Sequence, residues 1–261
     1  RTGAITAAIA GVLIAEQTEG LAAYITRLAI YIGIGVLVGE YSQRQHRQIR
    51  ALLRTTERLE RALNQTVGAF VEAIEAKHPY TADHALRVGR YAVAIAQELG
   101  LNEDERLRVQ WAARLHDVGK IGVPRALLEK PGKLSEAEKE ELRQHPVESE
   151  QITQRIEEFS DVRLAVRGHH EHWNGCGYPD GLRGEEIHPW SRILAVADAW
   201  DAMTSDRSYR KALSEEEARS RLLAASGQQF DPVVVEAFMA ARERHERQKQ
   251  AMQVSQYSAA P

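Results

Sequence analysis

Leu115-His116-Asp117-Val118-Gly119-Lys120 is the stretch on which the reading of this chain turns. Adjacent residues on a helix point about 100° apart, so His116 and Asp117 can serve one centre only where a helix ends. Gly119 supplies that end. A second doublet, His169-His170, stands ahead of Gly175, and Asp198 precedes Asp201 by one helical turn on a shared face. With His84 and His145 these make five of the ten histidines in the chain. Imidazole and carboxylate are the donors that hold divalent metals of the first transition row. A lone histidine is usually a packed or solvated residue, and His46, His78, His172, His188 and His245 are read that way. Two doublets, each closing a helix, are not.

The surrounding pattern is helical. Apolar residues recur three or four apart from Ile49 to Ile74, and again over His84 to Leu99, ending at Gly100. Further helices are expected over Glu103–Asp117, from Ser135-Glu136-Ala137-Glu138 (a capping box) to Gln144, over Val147–Glu157, Asp161–Glu171 and Trp190–Met203, after Ser214, and from Asp231-Pro232 onward. The segment from His172 to Pro189 is rich in glycine and reads as a structured loop. No strand pattern competes, so the fold class is all-α. The tail after about Gln248 reads as a frayed polar end.

Among the 261 residues 43% are apolar, which suits one packed domain with an appendage. A net charge of −3 argues against a nucleic-acid groove, and the single Cys176 excludes an intrachain disulfide. The chain opens at Arg1 on an apolar run, which reads as a piece of something longer. Residues 3–15 are uncharged, Glu16-Gln17-Thr18-Glu19 follows, and Leu21–Gly39 is apolar apart from Thr26 and Arg27. Those nineteen residues would span roughly 28 Å as a helix, about one hydrocarbon thickness. Arg44, Arg47, Arg50 and Arg54 come next, and positive flanks mark the cytoplasmic side. The expected organisation is therefore transmembrane helices over 1–39 in a bacterial inner membrane, a linker or coiled-coil helix over 40–78 that pairs two copies, a cytoplasmic catalytic domain over 79–245 and a tail over 246–261. The competing reading is a pair of apolar helices buried in a soluble domain or dimer.

Taken in order, the chain carries His84-Ala85-Leu86-Arg87-Val88, Leu115-His116-Asp117-Val118-Gly119-Lys120, His145-Pro146, His169-His170-Glu171, Gly177-Tyr178-Pro179, Asp198-Ala199-Trp200-Asp201-Ala202-Met203-Thr204 and Phe230-Asp231-Pro232. This series resembles the HD-GYP domain, a subgroup of the HD superfamily of metal-dependent phosphohydrolases. The resemblance covers about residues 66–242. It implies an HD-type helical bundle acting on cyclic di-GMP to give pGpG, in some members cut on to GMP. Carried over by position, it implies one metal held by His84, His116, Asp117 and Asp198. A second would share Asp117 and take His145, His169 and His170. Lys120, Arg207 and Arg210 would contact substrate phosphate. Tyr178 and its loop would shape the pocket mouth and dock regulatory partners such as diguanylate cyclase domains. Two ions about 3.5–4 Å apart can generate a bridging hydroxide and neutralise the charge of an attacked phosphodiester. The expected ions are iron or manganese, with nickel and zinc as alternatives.

Two departures from the family pattern stand out. Tyr80 occupies the position where some members carry a glutamate for a third metal, so two ions are expected. Asn174 stands where aspartate is common, at a position that is not a ligand. Two alternatives to cyclic di-GMP hydrolysis stay open: a cyclic di-GMP-sensing adaptor without turnover, and a hydrolase of another cyclic dinucleotide such as cyclic GMP-AMP.

Overall fold

The structure is a computed structural model that describes residues 20–75, 83–130, 132–206 and 211–258. It divides into two compact units, 1–66 and 67–261. The first apolar segment, 3–15, lies outside the described residues, as do Tyr80, Arg207 and Arg210.

Helix α1 runs from Leu21 to Glu75 without a break, 55 residues or about 82 Å. The apolar run and the polar stretch that follows Gly39 thus lie on one continuous helix. A single glycine costs a helix only about 1 kcal/mol, too little to interrupt so long a run. Within the first unit, Ile30, Ile32, Ile34, Val36, Leu37 and Val38 are all more than half exposed. The stretch Ala22–Leu59 is long and apolar enough to cross a membrane.

The second unit is an all-helical bundle, and the described residues contain no β-strand, only one isolated bridge between Ser226 and Phe230. Its helices are α2 (His84–Glu98), α3 (Glu103–Leu115), α4 (Arg125–Leu128), α5 (Glu136–Arg143), α6 (His145–Thr153), α7 (Ser160–Arg167), α8 (Pro189–Thr204), α9 (Glu215–Ala224) and α10 (Pro232–Ser258). The last turns of α1 belong to this unit, with Val71 buried in its core and Val67 packed on it. In α2 the buried positions Val88, Ala92, Ile95 and Ala96 follow the helical period, and the small alanines allow close approach to α3 and α8. α2 closes in a Schellman motif. Leu101 N–H donates to Ala96 O, Gly100 N–H donates to Gln97 O (3.0 and 3.1 Å), and Gly100 takes the left-handed φ of 76°. Capping boxes open α3 (Asn102 with Glu105) and α5 (Ser135 with Glu138).

Val109, Ala112, Val162, Ala165, Leu194, Val196, Ala197 and Leu222 are fully buried, and Phe238 packs edge-on against Trp200 at 4.9 Å. Contrary to the frayed tail expected after Gln248, α10 continues to Ser258. Ion pairs of Glu246 with Arg242 and Lys249 cover its exposed face.

Candidate metal centre

Three of the five histidines are placed by the same local device. The last carbonyls of a helix have no intrahelical donor. His116 follows α3, His145 follows α5 and His169 follows α7, and each turns Nδ1 back onto such a carbonyl three residues earlier. The acceptors are Ala113 O (2.7 Å), Leu142 O (2.7 Å) and Val166 O (2.6 Å). A carbonyl only accepts, so Nδ1 carries the hydrogen and Nε2 presents its lone pair inward. His84 reaches the same state differently, donating Nδ1–H to Asp201 Oδ2 at 2.8 Å.

The inward nitrogens converge. Ring centroids run His84–His116 5.3 Å, His116–His169 4.9 Å, His169–His170 4.1 Å and His170–His145 5.0 Å. Asp117 stands among them, with Oδ2 3.4 Å from His116 Nε2 and 3.8 Å from His84 Nε2, and Oδ1 3.2 Å from His145 Nε2. Asp198 Oδ1 lies 3.5 Å from His84 Nε2, and Lys120 Nζ lies 2.5 Å from Asp117 Oδ2. Donor atoms of His84, His116 and Asp198 form one group within 4.8 Å of one another, those of His145, His169 and His170 a second, and those of His116, Asp117 and His169 a third between them. All seven ligand positions and Lys120 therefore gather at one centre.

Several features fit a cation here. His116 Nε2 and Asp117 Oδ1 are buried without a hydrogen bond of good geometry, which is costly unless something positive meets them. His145 Nε2 and His169 Nε2, both lone-pair atoms, face each other at 3.4 Å. Burial opposes the charge on Asp117, yet His116 and Lys120 beside it hold its carboxyl well below the usual range. Burial likewise disfavours charged His116, but Asp117 and Asp198 outweigh it and lift it to about 9, so without a metal these acids favour a proton on the inward Nε2, a positive charge where a metal ion would take its place. His169 and His170 are pushed far down by burial and by their imidazole neighbours, which keeps both rings neutral.

The Gly177-Tyr178-Pro179 loop is tied to this centre. The Tyr178 ring stacks on His170 at 4.8 Å, and the Arg143 guanidinium lies 5.3 Å from the Tyr178 ring centroid. Buried Glu171 accepts from the backbone N–H groups of Asp180, Gly181 and Leu182 at 2.7–3.1 Å. A Cβ on Gly177 would sit 2.2 Å from His172 N and 2.5 Å from Glu171 Cα, so no other residue fits that crossing. Arg167 grips Asp180 through two bonds of 2.7 Å and reaches Glu150 on α6 at 2.7 Å. Replacing Arg167 with alanine is expected to loosen the loop while sparing the core. Amide exchange over residues 172–186 should quicken, and unchanged exchange there would contradict this role.

Arg87, Glu171 and Arg143 carry no role in the sequence reading, and Asp201 enters it only as the partner of Asp198 on one helix face. Asp201 had a visible signal, its one-turn spacing from Asp198. Glu171 and Arg143 had none, because their partners are set by the loop's path.

A family model described as an HD domain matches residues 68–234. The chain belongs to the HD-domain family. Its Gly-Tyr-Pro segment and its relatives mark it as an HD-GYP member of that family. The chain is 41% identical over 152 residues to 3'3'-cGAMP-specific phosphodiesterase 3 of Vibrio cholerae serotype O1, covering 58% of this chain and 33% of that protein. It is 38% identical over 198 residues to the cyclic di-GMP phosphodiesterase response regulator RpfG of Xanthomonas campestris pv. campestris, covering 75% and 52%. Among solved structures, a cyclic GMP-AMP-specific phosphodiesterase of V. cholerae shares the fold, with a TM-score of 0.55 at 22% identity over 68% of this chain and 48% of that one. The chain spans between a third and about half of the length of these curated relatives.

Proposed function

We propose that this chain is a metal-dependent phosphodiesterase that opens cyclic di-GMP to pGpG. The observation that carries the reading is the convergence of inward-facing Nε2 atoms on Asp117, with orphaned acceptors at the middle of the group. One ion would be held by His84, His116, Asp117 and Asp198, the other by Asp117, His145, His169 and His170, with iron or manganese the favoured occupants. When bound, such ions supply Lewis acidity and a water made nucleophilic at neutral pH. The protein's own part is to aim the imidazoles, to keep His169 and His170 neutral, and to bring a cation to the substrate. Lys120 is that cation, a compact charge beside Asp117 that can turn to a phosphate oxygen. Tyr178 and Arg143 offer an aromatic face and a guanidinium for the rest of the dinucleotide, and Arg207 and Arg210 are further phosphate contacts.

A second reading, hydrolysis of a cyclic GMP-AMP dinucleotide, is favoured by the 41% identity to a protein named for that specificity. The apolar part of α1 is the proposed inner-membrane anchor, with the catalytic unit cytoplasmic. Its exposed Ile49, Leu52 and Leu59 are the proposed dimer seam. The loop around Tyr178 is the proposed docking point for diguanylate cyclase domains.

The test is metal analysis of anaerobically purified, detergent-solubilised chain, together with hydrolysis of cyclic di-GMP and 3'3'-cGAMP in parallel. Bound metal with faster cyclic di-GMP turnover supports the proposal. Faster cyclic GMP-AMP turnover selects the second reading, and metal with no turnover of either selects a sensing adaptor. Lys120→Met is expected to lower kcat/KM about 10–100-fold, the worth of one charged hydrogen bond, at unchanged metal content. A wild-type kcat/KM in that variant would remove Lys120 from the mechanism.

A further inference from the structure

His84 is the exception in the cluster. The other three anchored imidazoles follow a helix C-terminus, where spare carbonyls accept Nδ1–H. His84 opens α2 as His145 opens α6, but where His145 lies two residues past α5 and turns Nδ1 to a carbonyl of that helix, His84 turns Nδ1 to a side chain, because the first turn of α2 itself offers only spare N–H donors. An acceptor for its Nδ1–H must come from elsewhere, and it comes from α8. Asp201 is 1% exposed and accepts from His84 through Oδ2. Its carboxylate is held in turn by Arg87 Nε at 2.5 Å, Arg87 Nη2 at 3.0 Å and Ser205 Oγ at 3.3 Å. His84 and Arg87 are one turn apart on α2, and Asp198 and Asp201 one turn apart on α8. The two helices thus meet face to face through a ligand and a supporting residue from each.

We propose that Asp201 is the positioning residue of the His84–Asp198 half of the centre, and that it makes the two halves chemically unequal. His84 is oriented by an anion, whereas His145 and His169 in the other half are oriented by neutral carbonyls. A carboxylate acceptor raises the basicity of the opposite ring nitrogen and fixes its direction more firmly than a carbonyl does. The His84 half therefore owes its cation affinity to Asp201, and the His145 half does not. This inference rests on the two-ion reading given above.

The experiment is Mn²⁺ titration of the detergent-solubilised full chain by calorimetry, comparing wild type with Asp201→Asn. The asparagine keeps the shape but loses the charge. One of the two binding steps is expected to weaken about 10–100-fold while the other keeps its affinity. Combining Asp201→Asn with His84→Ala should weaken that step no further than His84→Ala alone, and combining it with His145→Ala should weaken both. The proposal is overturned by an unchanged isotherm in Asp201→Asn, by equal weakening of both steps, or by effects that add to those of His84→Ala. Should Asp201→Asn lower helical content, Asp201→Glu, which restores the charge, is expected to restore the weakened step. Failure to restore it also overturns the proposal. A wild-type chain that binds no Mn²⁺ would defeat the metal-centre reading itself, whereas two wild-type steps unaltered by Asp201→Asn would defeat only this inference.

Discussion

Asp117→Ala is expected to abolish cyclic dinucleotide hydrolysis, by about 10³-fold or more, while leaving helical content near that of the wild type. Asp117 turns an oxygen toward each half of the centre, Oδ2 toward His116 and His84 and Oδ1 toward His145. Removing it takes a charge from both halves at once. Metal-derived stabilisation of a phosphoryl transition state is worth several kcal/mol, and each 1.36 kcal/mol is a factor of ten. The fold should tolerate the change, because Asp117 follows the end of α3 and contributes nothing to the apolar core. His116→Ala should act in the same direction. Steady-state rates read beside far-UV circular dichroism make the measurement. A rate near wild type in either variant would show that the chemistry takes place elsewhere.

Gly119→Ala should be the most damaging of the conservative changes. A Cβ at this position would lie 2.2 Å from His145 O, 2.6 Å from Ser149 N and 2.8 Å from Ser149 Oγ. Two of these atoms are backbone of α6 and cannot rotate aside. The glycine N–H also donates to Ser149 Oγ at 2.7 Å, which draws the turn over Val118–Gly122 onto that helix. The turn follows directly on Asp117 and carries Lys120, and α6 begins with His145. A methyl group therefore pushes the two halves of the centre apart. Overpacking of this kind costs about 1–3 kcal/mol, which for a unit of this size lowers Tm by roughly 2–12 °C. Metal content should fall as well, because the 3.2 Å approach of Asp117 to His145 is lost. Wild-type Tm together with full metal content would mean that the crossing is looser than the geometry describes.

Much of this protein was legible along the chain, because the signals involved are local. Gly100 announced the end of α2 and Ser135-Glu136-Ala137-Glu138 the start of α5, since caps and periods are settled within one or two turns. The His116-Asp117 doublet was legible for the same reason, at a helix end near Gly119, whereas His169-His170 lies beyond α7, which stops at Arg167 and not near Gly175. The membrane-length apolar run and the helical period that follows it were both visible, and α1 carries them as one helix through Gly39.

What the amino-acid order determined by itself was a set of helices and a list of donors suited to metal. Only the tertiary structure decided how each donor is aimed. Asp198 and Asp201 share a face and a residue type, yet one turns to His84 Nε2 and the other to His84 Nδ1, 114 residues or more along the chain from their partners on α2. Arg167 could have met any acid, and the path of the loop gave it Asp180. Gly119 and Gly177 look like ordinary turn residues until the backbones that cross them, at His145 and His172, are in place. Backbone propensity acts over a few residues, whereas the direction of a lone pair depends on which surfaces the packed core brings together.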